Sequence, residues 1–335
     1  MKLWRGALKL LAPGGGVRID APGCVRTRYS PSGCRACADA CPEDAIACAP
    51  LPRLDTGRCT ACRLCEAACP TGAIEGDERG LGALATELAK TPHPVLGCRV
   101  PGVQANVHTG CLGFLDAEAL IALGLALPRG LTLDLTRCRD CINAAVVGKL
   151  EAAAAQAQRA EAYVRTAHVR LVTDPKALAY QESGLSRREF FSLAGKRAAQ
   201  AASTAAGLDQ AGPPQRPFGE RKNLPSSRRL LLEKRAPLPE GTRKPLDAAL
   251  FPGLVFGPAC TRCMGCVGMC PTGAIATSRS DPRRPVFVPA LCTSCGVCEA
   301  FCNVKAIALT APQGNANAAR AAPDAATPTA PAAGT

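Results

Sequence analysis

The chain has 335 residues, of which 21 are cysteine, and carries 40 Lys+Arg against 27 Asp+Glu. Apolar residues at 47% are enough for cores and exclude wholesale disorder, and an odd cysteine count in a chain this long excludes a small disulfide scaffold. The formal charge of +13 would suit nucleic acid, but aromatics are only 4% and residues 181–250 alone hold 13 basic against 7 acidic side chains. The largest share of the excess therefore lies in a connector rather than on an aromatic-lined face, and no nucleic-acid partner is expected.

The opening segment, MKLWRGALKLLAPGGG, has an apolar stretch broken by Lys9 and stopped at Pro13, which is not the core of a secretory signal. The most apolar run, Ala119 to Leu127, is about half the length that spans a bilayer. No membrane span is expected. The reading is a soluble, cytoplasmic chain whose thiols hold metal.

The cysteines fall in three groups. The first contains a complete C-x2-C-x2-C-x3-C run, Cys59, Cys62, Cys65 and Cys69 followed by Pro70. Upstream, Cys34, Cys37 and Cys41-Pro42 lack the first member, because Pro31 stands at the required position. Cys24 is the nearest substitute; the rivals are a three-cysteine site or recruitment of Cys48. The middle group is Cys98, Cys111, Cys138 and Cys141, in a stretch where strand and helix patterns alternate. Strands are expected at His93–Cys98, Val103–His108, Leu131–Leu135 and His168–Val172. Helices are expected at Asp116–Leu127, with Asp116 as N-cap, and at Asn143–Arg165. Such alternation predicts a small parallel sheet with all four cysteines at its carboxyl edge, where open α/β sheets place ligands. Four thiolates gathered there would bind an iron–sulfur cluster or zinc. His108 is left out as a strand-end residue.

Residues 200–250 carry Pro, Gly, Ser and basic clusters with little periodicity and are expected to be a flexible linker. Ser186-Arg187-Arg188-Glu189-Phe190-Phe191, internal to the chain, is expected to start an amphipathic helix and not to act as an export signal. The third cysteine group holds two complete runs. Cys260, Cys263, Cys266 and Cys270-Pro271 form one, and Cys292, Cys295, Cys298 and Cys302 the other. Two-residue gaps let one tight loop present three thiolates to three irons. Gly265 and Gly273 are expected in turns of positive φ. Each run is followed by the same phrase, Asp44-Ala45-Ile46, Gly72-Ala73-Ile74, Gly273-Ala274-Ile275 and Lys305-Ala306-Ile307, which places a buried Ile in a short strand. The Ala/Pro/Thr-rich tail over 311–335 is expected to be disordered. No catalytic triad, phosphate loop or carboxylate pair stands out, so no catalytic residue is assigned.

On these runs both outer groups resemble the bacterial two-cluster ferredoxin family. The fold implied is α+β: ferredoxin-like domains at 16–78 and 252–310 flanking a small α/β parallel-sheet domain at 85–180 with a four-cysteine site. In that family the fourth cysteine of a run ligates the other cluster. The resemblance thus implies four [4Fe–4S] clusters, held by Cys24, Cys34, Cys37 and Cys69; by Cys59, Cys62, Cys65 and Cys41; by Cys260, Cys263, Cys266 and Cys302; and by Cys292, Cys295, Cys298 and Cys270. The middle four cysteines, similar locally to the small iron–sulfur subunit that links hydrogenases to heterodisulfide reductases, would add a fifth cluster or zinc. Twenty thiols are then used and Cys48 remains. The overall plan looks like a polyferredoxin, and by analogy resembles the iron–sulfur proteins that accompany formate dehydrogenases. It implies an electron relay to an oxidoreductase partner. The alternatives are a redox-linked assembly scaffold or a sulfur or thiol enzyme using the middle site.

Overall fold

The computed structural model describes residues 16–76, 80–164, 169–180 and 222–312. The Ser186–Phe191 segment and residues 313–335 of the tail lie outside them. The architecture mixes helix and sheet, and its strands form four two-stranded ribbons and one four-stranded sheet.

Three helical turns or short helices and two ribbons build the first cysteine-rich unit. β1 (Val17–Ile19) pairs antiparallel with β4 (Ile74–Gly76), and β2 (Ile46–Ala47) with β3 (Arg53–Leu54). Between them lie α1 (Val25–Arg28), α2 (Ala36–Asp39) and α3 (Leu64–Ala68). These helices are one turn long and contribute little by themselves. A small core of Val17, Ile46, Cys48, Cys65 and Ile74 lies among them, and Leu64 of α3 joins the larger core of the sheet.

α4 (Leu81–Leu88) leads into the parallel sheet. Its strands β5 (Val95–Cys98), β6 (Val107–Thr109), β7 (Leu131–Asp134) and β8 (Val169–Val172) lie in the order β6-β5-β7-β8, all parallel. α5 (Ala117–Ala126) follows β6 and is capped by Asp116, whose carboxylate accepts from the Ala119 amide at 2.7 Å. α6 (Val146–Gln158) follows β7; it starts three residues later than the pattern suggests because residues 138–145 are spent on turns around Cys138 and Cys141. Leu96, Leu133 and Leu135 on the sheet and Leu120, Ile121 and Leu123 on α5 are almost fully buried together.

The linker expected over 200–250 needs correction where it is described. α7 (Ser226–Arg235) and α8 (Glu240–Leu250) are helices, and Leu230, Leu231, Leu246 and Phe251 belong to the same core as the sheet. These four buried anchors, with Leu232, Leu238 and Leu250 packed beside them, are scattered among many Arg, Lys and Pro residues, so no periodic stripe was legible. The last unit follows directly. β9 (Gly253–Phe256) pairs antiparallel with β12 (Ile307–Thr310), and β10 (Ile275–Thr277) with β11 (Pro285–Phe287). α9 (Gly265–Met269) and α10 (Val297–Phe301) each follow a run of cysteines. No helix among the described residues is long and apolar enough to cross a membrane.

Candidate metal centres

The backbone of the cysteine runs is unusual in one respect. All seven non-glycine residues with positive φ among the described residues lie in these loops: Asp44, Ala61, Arg63, Arg262, Met264, Ser294 and Lys305. In each complete C-x2-C-x2-C run the residues flanking the second cysteine are left-handed, as Ala61 and Arg63, Arg262 and Met264, Ser294 and Gly296. Each such non-glycine residue costs about 1–2 kcal/mol, and strain of this kind persists where the surroundings over-determine it. The truncated run keeps only the first of the pair, Gly33 at φ 68°; Arg35, after Cys34, is at φ −128°. Gly265 is not in this class. It is the first residue of α9, and a Cβ there would meet the Phe301 ring at 2.7 Å.

The recurring Ala-Ile phrase acquires a reason from the same dihedrals. The residue before Ala is left-handed in every copy, Asp44, Gly72, Gly273 and Lys305. That turn aims the next amide back at sulfur: Ala45 N–H donates to Cys41 Sγ at 3.3 Å, Ala73 N–H to Cys69 Sγ at 3.2 Å and Ala306 N–H to Cys302 Sγ at 3.3 Å. The four Ala and four Ile residues of the phrase are all buried. Amide donors stabilise a thiolate over a thiol, and hydrogen bonds to sulfur raise a cluster's reduction potential.

Long-range packing sorts the thiols. Cys24, Cys34, Cys37 and Cys69 (set A) line one cavity together with Cys48. Cys41, Cys59, Cys62 and Cys65 (set B) line another, with Val17, Ile46 and Leu54 on its apolar side. Cys292, Cys295 and Cys298 each lie within electrostatic reach of Cys270 (set C), and Cys266 within reach of Cys260 and Cys263 (set D). Cys302 packs against the same small core as Cys266. The seven-residue offset of Cys24 is absorbed by α1 and a turn at Ser30–Ser32, which bring its thiol to the amides of Arg26 and Thr27 and to Cys69.

In the α/β unit Cys98 ends β5, Cys111 follows β6 and Cys138 and Cys141 follow β7. These are three adjacent parallel strands, so all four thiols (set E) rise from one sheet edge. Cys98, Cys111 and Cys138 each lie within electrostatic reach of Cys141. Asp134 is buried beneath them and accepts from the amides of Gln104 at 2.8 Å and Thr136 at 2.9 Å. His108 Nε2 stands 3.5 Å from Val103 O, on the strand rather than among the thiols.

Burial and then mutual repulsion push the Cys65, Cys138 and Cys295 thiols up to about 12, and burial pushes Cys111 to the same level. Cys37 and Cys298 are raised further for the same reasons. Such crowded sulfurs remain protonated at neutral pH unless a cationic core replaces the protons, which is the chemistry of thiolate–metal assembly. Thiols lining a cavity, amide donors aimed at sulfur and strained loops fit an iron–sulfur cluster.

Several contributors carry no motif. Arg63 is 5% exposed, pairs with Glu66 at 2.8 Å and lies 3.8 Å over the Phe114 ring. Lys222 Nζ donates to the carbonyls of Val267, Gly268 and Cys270 at the end of α9. Arg228 is 3% exposed and donates to both Glu118 carboxylate oxygens and to the carbonyls of Ala290 and Cys292. Apart from Glu66, their partners lie tens of residues away, and no local pattern marks them.

Comparison with known families agrees with this chemistry. Two family models, each described as a 4Fe-4S binding domain, match the chain, one over residues 52–75 and the other over 32–44 and 289–305. These segments hold all four cysteines of set B, three of set A (Cys34, Cys37 and Cys69) and the run Cys292, Cys295, Cys298 and Cys302. No curated protein and no solved structure matches the chain. Over those segments the chain is similar to 4Fe-4S binding domains, which supports an iron–sulfur protein with ferredoxin-like motifs.

Proposed function

We propose that this protein is a polyferredoxin. Sets A, B, C and D each hold a [4Fe–4S] cluster within two ferredoxin-like domains, and set E holds a fifth iron–sulfur cluster in the α/β domain between them. The observation that carries the reading is that Cys24, Cys34, Cys37 and Cys69 line one cavity and Cys41, Cys59, Cys62 and Cys65 another, while Cys292, Cys295 and Cys298 each lie within electrostatic reach of Cys270. A cubane with four thiolates has no open position for substrate, so it passes single electrons. The protein relays electrons to or from an oxidoreductase, and a formate dehydrogenase is the partner to test first, by analogy of cysteine plan. Iron, acid-labile sulfide and zinc measured on anaerobically purified protein test this. About sixteen irons or more with matching sulfide are expected from the cluster type. Few irons with about one zinc per chain would sink it.

A further inference from the structure

Two of the borders between the three units bring cysteines of different sets near one another. Between the two cysteine-rich units, Asn223 is the link. Its side-chain amide donates to Thr71 O at 3.0 Å and Gly72 O at 3.1 Å, just beyond Cys69 of set A. Its backbone N–H donates to Pro271 O at 2.8 Å, next to Cys270 of set C. Beside it, the Tyr29 ring meets the Phe301 ring edge-on at 5.5 Å, and the Tyr29 hydroxyl donates to Ala300 O at 3.5 Å. Cys34 of set A lies within electrostatic reach of Cys295 of set C.

The second border joins set B to the α/β unit. The loop Thr60–Leu64 presses on the segment after β6, where a Cβ on Gly113 would overlap the carbonyl oxygen of Cys62. Arg63 stacks on Phe114, and its guanidinium donates to Thr109 Oγ1 at 3.4 Å. Asn143, two residues past Cys141, donates to Thr60 O at 3.2 Å. Cys111 of set E lies within electrostatic reach of Cys62. The α/β unit also meets the third unit, but through Glu118 on α5 and Arg228 on α7, in the helical layer rather than at the edge that bears its cysteines.

We propose that the five sets form one unbranched chain in the order D, C, A, B, E, with the ports for outside partners at its two ends. The inference rests on the polyferredoxin reading and adds to it the route. Sets C, A and B are internal stations. Set D offers the outer port, since Cys263 is the one exposed cysteine of the 21. Set E, at the carboxyl edge of the sheet, is the other. Each transfer moves one electron between neighbouring sets, with no bond made or broken; a one-electron donor protein docks at one port and a one-electron acceptor protein at the other.

The test is EPR of the iron-loaded full chain during stepwise reduction with dithionite. The double variant Cys138→Ser/Cys141→Ser removes set E and should abolish the magnetic broadening of one N-terminal centre while leaving the C-terminal pair unchanged. Cys260→Ser/Cys263→Ser should alter only its set C neighbour. Broadening lost from the C-terminal pair in the first variant, or no change in any centre, overturns the order. Should the cysteine variants fail to accumulate, Gly113→Ala keeps every ligand and pushes the Thr60–Leu64 loop away; unchanged coupling there overturns the B–E border. Low iron and sulfide in the parent protein would refute the polyferredoxin reading, whereas full iron with a different coupling pattern refutes the order alone.

Discussion

Arg228→Met is the most informative single substitution. The guanidinium lies 2.6 Å and 2.7 Å from the two Glu118 oxygens, and one Nη donates to Ala290 O at 2.9 Å and Cys292 O at 2.6 Å. It also stacks over the Phe251 ring at 4.8 Å. Met fills a similar volume but leaves Glu118 and two carbonyls without their donor. Breaking a buried pair from one side costs about 3–5 kcal/mol. The electrical effect is separate. A unit charge about 8 Å from a cluster, at an effective dielectric of about 20, is worth about 2 kcal/mol, which is on the order of 90 mV for a one-electron couple. Removing the cation disfavours the added electron, so the potential at Cys270, Cys292, Cys295 and Cys298 should fall by that order. Arg228→Lys keeps the charge and loses the fork, so it should hold most of the potential while remaining destabilised. Anaerobic urea unfolding reads the first effect, and potentiometric EPR reads the second. An Arg228→Met protein within about 1 kcal/mol of the parent, its potentials unmoved, would refute the reasoning.

Three further outcomes are expected. Gly113→Ala should cost about 1–3 kcal/mol by overpacking against Cys62, Leu64 and Val146, seen as a lower urea midpoint at unchanged iron content. Cys24→Ser should remove or convert one cluster, whereas Cys48→Ala, although Cys48 Sγ lies 4.0 Å from Cys37 Sγ, should leave the iron count unchanged; the opposite pattern would make Cys48 the ligand. Asp116 is pushed up to about 7, by burial first and the neighbouring Glu118 second. Its folded form therefore keeps a proton that the unfolded chain has lost, so this group's contribution to stability falls as pH rises from about 4 to about 7. Asp116→Asn keeps an N-cap acceptor and removes the charge. The variant's stability relative to the parent should improve between pH 6 and pH 8 in urea unfolding; an equal difference at both values would exclude the effect.

The cysteine runs and the alternating strands were legible because both are local. A thiol every three residues, and an Ala-Ile phrase after each run, state their spacing without any tertiary partner. Likewise β5, β7 and β8 lie within the stretches their apolar patterns mark, since period and length suffice to tell a buried strand from a helix, whereas β6 is Val107–Thr109 and only overlaps the end of the Val103–His108 stretch. The helices α7 and α8 were not legible, because four buried anchors scattered among Arg, Lys and Pro carry no stripe and become a core only when α5 is beside them. Gly113 and Asn223 look like ordinary loop residues in sequence. The first is glycine because Cys62, 51 positions earlier, passes against it; the second ties Thr71 to Pro271. By itself the sequence determined what kind of chemistry each loop can do, since ligand type and spacing are local properties of the chain. Only the tertiary structure decided which set faces which, because that depends on the closest approach of segments far apart in sequence, and no short-range pattern encodes it.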